Sequence, residues 1–410
     1  MASSPPAPPR FPLLDGLRAI AALSVVVTHT AGLTTFNGEN DLLGPFTARL
    51  NAGVAIFFVL SGFLLYRPWV AARIEGTRPP RLARYARARL LRILPAYWLA
   101  LTVLSLWPGL VGPFTADWWG YYGLLQNLST STLIGGLGPA WTLSVELSFY
   151  AVLPLYALAC ARWLARRPAA DQLRVELAVL ALLGVGSAVA RTLVHLTHPA
   201  GVFSFVLPGM FLWFALGMIL AVLSVHLGRL APPDLPGLLR VASERPWVPW
   251  LGAGLVLAGL TRLGLPRAFP YTYTEFGWFV EHWAFALLAV LMVLPAAFPG
   301  DGRGWPRRLL AWPPLAWLGL VSYGIYLWHV PLAAEITETG IAGKVPAGGY
   351  VVVTALTVAA AAACAAVSWY LLERPLLRLK HPPRRPPAAP RRITEPAQGD
   401  LRHAAAAPGG

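Results

Sequence analysis

An arginine and a histidine stand in a stretch that is otherwise apolar enough to enter a membrane. Arg18 and His29 are eleven positions apart and follow Asp15 in a run of Ala, Ile, Leu and Val. On a helix they return to within ~20° of the same face, ~16 Å apart along the axis. Asp15 precedes Arg18 by one turn and can neutralise it, which leaves His29 as the titratable group deep in the segment. Ionisable groups inside membranes usually mark a working site; a polar bundle residue hydrogen-bonded to a neighbour is the alternative interpretation.

A second polar cluster begins the fourth apolar run, where Trp141, Ser144 and Glu146 are closely spaced. The N-terminal dipole of a helix that starts here favours the Glu146 carboxylate. The number of residues from each side chain to the end of its apolar run places His29 and Glu146 at the same expected depth in the membrane. A carboxylate beside an imidazole fixes its tautomer and stabilises its protonated form. A helix cap within an interfacial aromatic belt is the alternative.

Arginines form a third candidate site before the third apolar run. Arg89 and Arg92 are three residues apart and project from one side of a helix. Two guanidinium groups so placed make a fork that suits phosphate oxygens. Arginine-rich loops also serve topology and lipid contact, and that interpretation stays open at this point.

Two tyrosines and a histidine place polar groups inside the ninth apolar run, at a depth within the membrane. Tyr323 and Tyr326 precede His329, which is expected to line the polar interior. The cysteines, Cys160 and Cys364, have neither a disulfide pattern nor metal-ligand spacing. No phosphate-binding glycine loop, metalloprotease helix or nucleophile elbow is present. We therefore expect no metal and no permanently bound cofactor.

The composition indicates which elements must position these residues. Hydrophobic residues make up 56% of the 410 residues and charged residues 12%, and the mean hydropathy is +0.57. This is typical of a multi-pass membrane protein and not of a soluble domain. The sequence predicts an all-α polytopic helix bundle with about ten transmembrane helices, at residues 14–34, 50–69, 90–108, 139–161, 173–195, 203–226, 248–264, 278–298, 314–333 and 349–372.

The loops between these runs alternate in charge. Most arginines follow the even-numbered runs, whereas the opposite loops hold little beyond Arg49, Arg267 and Lys344. By the positive-inside rule both termini face the cytoplasm. The arginines that give the net charge of +15 are therefore explained by membrane orientation. We expect contact with the lipid bilayer and not with nucleic acid. Residues 1–10 and 381–410 are predicted to be disordered cytoplasmic tails around a membrane domain at 11–380.

Several short motifs occur in a fixed order along nearly the whole chain. They are Asp15-Gly-Leu-Arg18 with His29, Gly53 to Phe63, Arg89-x-x-Arg92, Trp141-x-x-Ser144-x-Glu146, Tyr323-x-x-Tyr326-Leu-x-His329 and Glu373-Arg374-Pro375. In this order they resemble the acyltransferase 3 family of integral membrane acyltransferases.

The resemblance implies an acyl-CoA donor, with acetyl-CoA as the default, and transfer to a hydroxyl of a sugar, envelope glycan, glycolipid or glycosylated metabolite. It implies a multi-pass protein of a bacterial cytoplasmic membrane. Some family members carry a C-terminal hydrolase-like domain; without one, transfer is completed by the membrane domain or by a separate extracytoplasmic partner.

By the same resemblance, His29 is the catalytic base, Arg18 is an essential partner in the same helix, and Arg89 and Arg92 contact coenzyme A. Glu146 is grouped with the catalytic residues because of its expected depth beside His29. Substrate binding is assigned to Asp15, Trp141, Ser144, Tyr323 and His329.

Transport is the competing function class. Arg18, His29 and Glu146 are equally suited to lining a polar path for a proton-coupled transporter of a glycan or small solute. The two classes differ in one respect, since only an enzyme consumes acyl-CoA.

Overall fold

The computed structural model describes residues 13–199, 201–228, 230–268, 271–298, 300, 303–345 and 348–378. Ten apolar helices form the body of this part of the chain: α1 (Leu13–Leu33), α2 (Gly53–Ile74), α3 (Leu82–Leu106), α4 (Trp141–Leu164), α5 (Ala169–Thr197), α6 (Leu207–His226), α7 (Trp247–Thr261), α8 (Glu275–Ala297), α9 (Pro313–Glu338) and α10 (Gly349–Ser368). Each coincides with one predicted run, so the polytopic helix bundle is confirmed. The predicted tails at 1–10 and 381–410 lie outside the described residues.

Short helices connect these ten and extend the last of them. They are Phe36–Glu39, Gly44–Ala48, Leu50–Ala52, Trp118–Tyr122, Gln126–Leu128, Gly138–Ala140, Val202–Phe205, Pro232–Asp234, Gly237–Glu244, Trp305–Leu310, Ile341–Lys344, Trp369–Glu373 and Arg374–Arg378. We call the end of the bundle where α3 begins, with Arg84, Arg87, Arg89 and Arg92, the arginine end.

Helix α7 is shorter than the others. Nine helical segments of the described chain are long and apolar enough to span a bilayer, whereas α7 has 15 residues, or ~22 Å against a ~30 Å hydrocarbon core. It still joins the two ends of the bundle. Near its start Trp250 packs edge-on against Trp305, which precedes α9, and near its end Leu260 lines a cleft with Arg49, which precedes α2. With α7 included, the chain passes ten times between the two ends of the bundle. The first residue of α1 and the last residue of α10 therefore lie at the same end of the bundle.

Several glycines lie where two helix backbones approach closely. A Cβ on Gly217 of α6 would lie 2.0 Å from the carbonyl oxygen of Val59, and one on Gly62 of α2 would lie 2.2 Å from that of Phe214. Gly319 of α9 likewise lies directly against the backbone of Asp15. Small residues let helix backbones approach closely where no hydrophobic effect drives association.

Two buried charged side chains in the bundle are satisfied by hydrogen bonds. Glu176 of α5 accepts hydrogen bonds from Tyr66 and Arg73 of α2. Arg307 is 1% exposed and donates to the carbonyl oxygens of Pro295, Phe298, Ala242 and Arg303. Unpaired buried charges are costly, so these contacts hold α8 and its neighbours in one arrangement.

Candidate active site

A cavity lies between α1, α2, α3, α4 and α9. It encloses about 730 Å³ of space, its mouth included. The lining side chains combine a wall from α2, apolar except for Ser61, with mostly charged and hydroxyl groups from the other four helices. They are Arg18, Val54, Phe57, Phe58, Leu60, Ser61, Leu64, Leu65, Arg89, Arg92, Thr142, Leu143, Glu146, Tyr150, Ser322, Tyr323 and Tyr326. Arg18, Arg89, Arg92, Glu146 and Tyr323, which the sequence singled out, thus meet in one place.

Positive charge predominates in this cavity. Three arginines, Arg18, Arg89 and Arg92, face the single lining carboxylate of Glu146. Glu146 accepts a hydrogen bond from Ser61 at 2.5 Å and interacts electrostatically with Arg18. The Nε atom of Arg89 is buried and has no hydrogen-bond partner among the described residues. Because a buried donor requires a partner and three arginines share this space, the cavity is suited to a polyanion.

His29 and His329 form a hydrogen-bonded pair. Nδ1 of His29 lies 2.9 Å from Nε2 of His329, and Nδ1 of His329 lies 2.8 Å from the carbonyl oxygen of Tyr326. A carbonyl only accepts, so Nδ1 of His329 carries the proton, and the Nε2 atom of a neutral His329 accepts from His29. His29 is thereby held with its proton on Nδ1, which leaves the lone pair on Nε2 free to take a proton.

Tyr326 connects the cavity with this pair. Its side chain lines the cavity, while its carbonyl accepts from His329 one turn further along α9. Its hydroxyl donates to the carbonyl of Pro139 at 3.0 Å and lies 2.8 Å from Oγ1 of Thr142. The start of α4 and the middle of α9 are therefore fixed to each other beside the histidines.

Glu146 does not occupy the position expected for it. The expected depth assumed that α4 starts at the membrane surface, but its first turn lies inside the bundle, because Pro139 bonds to Tyr326 in the middle of α9. Glu146 then lies further toward the arginine end, among Arg18, Arg89 and Arg92. The hydrogen-bond partner of His29 is His329 instead.

Four residues assigned to substrate binding lie outside the cavity lining. One is His329, which pairs with His29. Trp141 packs edge-on against Phe205, with ring centroids 5.2 Å apart. Ser144 is 5% exposed and its hydroxyl lies 3.5 Å from the carbonyl of Ala140. Asp15 is exposed at the start of α1. The surroundings of the other three are those of helix packing and helix ends.

Other lining residues were missed. Tyr150 lies four residues after Glu146, and Tyr326 lies three after Tyr323, so both share a helix face with a residue already chosen. Ser61 belongs to the Gly53–Phe63 motif but received no role. Spacing of three or four residues from Glu146 and Tyr323 is the sequence signal that indicates Tyr150 and Tyr326.

Among the described residues, no group of three or more His, Cys, Asp and Glu side chains is placed to hold a metal ion. Both cysteines are free thiols.

Comparison with known sequences identifies the family. A model of the acyltransferase domain, acyltransferase 3, matches residues 11–370. The chain belongs to the acyltransferase 3 family. All motifs of the cavity and the histidine pair lie within the matched residues.

Curated relatives of this acyltransferase 3 chain include proteins named for peptidoglycan O-acetylation and for exopolysaccharide production. It is 25% identical to peptidoglycan O-acetyltransferase OatA of Listeria monocytogenes over 80% of this chain and 51% of the relative. It is 28% identical to the putative peptidoglycan O-acetyltransferase YrhL of Bacillus subtilis over 89% and 55%, and 30% identical to exopolysaccharide production protein ExoZ of Rhizobium meliloti over 80% and 89%. The chain spans about half the length of the first two. No solved structure matches it significantly.

Proposed function

We propose that the chain is a membrane O-acyltransferase that transfers an acyl group, acetyl in the first instance, from acyl-CoA to a hydroxyl of a glycan or glycoconjugate. The observation that carries this proposal is the hydrogen-bonded pair of His29 and His329 beside an arginine-lined cavity. The family and the names of two relatives, both O-acetyltransferases, support the same reaction.

The cavity supplies the donor site. Arg89 and Arg92 offer paired guanidinium donors for the phosphates of coenzyme A, and Arg18 adds a third. The Glu146 carboxylate interacts electrostatically with Arg18 and offsets part of the positive charge of the three arginines. The apolar wall of α2, with Phe57, borders the path of the acyl arm toward Tyr326 and the histidines.

His29 supplies the base. Its Nε2 lone pair takes the proton of the acceptor hydroxyl while that oxygen attacks the thioester carbonyl carbon. The carbon–sulfur bond then breaks, the proton passes from His29 to the leaving thiolate, and the products are the O-acyl ester and free coenzyme A. His329 accepts from Nδ1–H of His29 and so stabilises the imidazolium formed in between.

The proposed orientation places the arginine end in the cytoplasm. Arg84, Arg87, Arg89 and Arg92 all lie there, in agreement with the positive-inside rule. Acyl-CoA then enters from the cytoplasm, and the histidine pair lies ~16 Å deeper than Arg18, nearer the outer surface. A reporter fused in the loop after α3 is expected outside the cell; a cytoplasmic reporter at that position would reverse the orientation.

The reaction is tested with purified full chain in detergent. Labelled acetyl-CoA and a glycan acceptor should give an O-acetylated product, because the donor and base sites are both present in this chain. A chain that moves the glycan across a vesicle membrane without consuming acetyl-CoA would be a transporter, and the proposal would be wrong.

The donor site has a matched control. Arg89→Ala with Arg92→Ala is expected to weaken acetyl-CoA binding about 100-fold, since two charge-assisted hydrogen-bonding groups are lost. Arg87→Ala, an exposed position on the same helix, should bind as the wild-type chain does. Equal affinity in the double variant would remove these arginines from the donor site.

A further inference from the structure

Few cationic side chains lie at the end of the bundle opposite the arginine end. Among the described residues they are Arg49, Arg191, Arg262, Arg267 and Lys344. In the proposed orientation this is the outer side, where the positive-inside rule disfavours arginine in short loops. These arginines therefore need an explanation other than topology.

Three of the five line one cleft. Arg49, Arg262 and Arg267 surround a space of about 800 Å³, its mouth included, together with Asp41, Pro45, Leu260, Thr261, Gly264 and Leu265. The cleft lies where α7 ends early, after only 15 residues. A helix ~8 Å shorter than the hydrocarbon core leaves room for a polar group at its end.

The three arginines differ in how far the protein satisfies them. Arg49 is 2% exposed and is paired with Glu281. Arg267 pairs with Asp41 at 3.2 Å, but the Asp41 side chain is 93% exposed, and such surface pairs contribute little. Arg262 is exposed, and its guanidinium group makes no hydrogen bond or ion pair with any residue that the structure describes. The cleft thus presents cationic groups that a ligand can engage.

The cleft is close to the helix that carries the base. Thr28, next to His29, donates to the carbonyl of Ala48 at 3.4 Å, and Arg49 follows Ala48 directly. The short helix Gly44–Ala48 therefore contacts α1 and also, through Pro45, borders the cleft. A molecule large enough to reach past this helix can contact both regions.

We propose that this cleft binds an oxyanion, a carboxylate or a phosphate, carried by the acceptor glycoconjugate. The inference rests on the proposed function and adds the chemical class of the acceptor, which is acidic. The oxyanion accepts hydrogen bonds from Arg262 and Arg267 and displaces Asp41 from Arg267. Arg49, held by Glu281 and by the hydroxyl of Tyr273 at 3.2 Å, adds positive potential from the wall of the cleft.

Equilibrium binding tests the proposal without any acyl transfer. The full chain in phosphatidylcholine nanodiscs is titrated calorimetrically with digalacturonic acid, with its neutral match digalactose, and with short-chain phosphatidylglycerol against short-chain phosphatidylcholine. At least one anionic probe should bind more tightly than its neutral match. The probe that does so distinguishes a carboxylated sugar from a lipid phosphate as the source of the oxyanion.

Variants then locate the site. Arg262→Gln should lower the affinity of the anionic probe about tenfold, and Asp41→Asn should raise it by removing the competing carboxylate. Lys344→Gln removes an exposed charge at the same end but outside the cleft and should have no effect. Absence of anionic preference in the wild-type chain, or equal affinity in Arg262→Gln, would overturn the proposal.

The failure of this site and of the proposed function are separable. A chain that transfers acetyl groups but shows no preference for anionic probes refutes oxyanion binding in the cleft and leaves the proposed acyltransferase activity standing. A chain that binds the anionic probe through Arg262 but never transfers an acyl group refutes the proposed activity and leaves oxyanion binding standing.

Discussion

Replacing His329 separates a positioning role from a packing role. The imidazole is fully buried, with 0% exposure, and its Nε2 accepts from Nδ1 of His29 at 2.9 Å. His329→Leu introduces an apolar side chain of similar size and removes the acceptor for His29, together with the donor to Tyr326. His329→Gln keeps an oxygen that can accept the same proton, so it serves as the conservative variant.

The magnitude follows from the change in charge on His29 during the reaction. A hydrogen bond from a neutral donor contributes about 1 kcal/mol and one from a charged donor about 1.5–3 kcal/mol. His29 is neutral before it takes the proton and charged afterwards, so the bond to His329 strengthens by about 1–2 kcal/mol in the transition state. Loss of this hydrogen bond should therefore lower kcat about 5–30-fold. An unpaired His29 can also move its proton to Nε2, which lowers kcat further.

Steady-state kinetics with acetyl-CoA and an acceptor glycan measure this effect. We expect kcat of His329→Leu to fall about 5–30-fold or more with KM for acetyl-CoA unchanged, because the donor contacts are at Arg89 and Arg92. His329→Gln should recover part of kcat. An unchanged kcat in His329→Leu, or equal losses in both variants, would refute the positioning role.

Two further predictions concern the bundle itself, and both are measured by thermal unfolding in detergent. Gly319→Ala should destabilise the chain by about 1–3 kcal/mol, because its Cβ would lie 1.8 Å from the carbonyl oxygen of Asp15; Gly186→Ala, with open space around it, is the control, and equal melting temperatures would contradict the packing described. Arg307→Met should lower stability by about 3 kcal/mol or more, since four carbonyl groups lose their donor; exposed Arg308→Met should not.

The helices were predictable because each is one continuous apolar run, and all but α7 are long enough to cross a bilayer. Periodicity and length suffice for that, and even the short α7 was found at 248–264, where it runs from Trp247 to Thr261. Its early end was not foreseen, and it is what places Arg262 in the cleft. The end of a short apolar helix is poorly defined by sequence alone.

The long-range pairing of side chains was not predictable in the same way. His29 and His329 are 300 positions apart, and their contact follows from the close packing of α1 on α9 that Gly319 allows. The sequence-based expectation, which counted membrane depth along each helix separately, paired His29 with Glu146 instead. That count failed because the loop before α4 folds into the bundle, so the first turn of α4 lies beside Tyr326.

The central claim is that His29 takes the proton of the acceptor hydroxyl. The most direct measurement is single-turnover transfer from labelled acetyl-CoA by His29→Gln, with acetyl-CoA affinity and melting temperature recorded on the same sample. We predict wild-type donor affinity and folding with transfer reduced about 10²–10⁴-fold. Transfer at the wild-type rate by the folded variant would contradict the account.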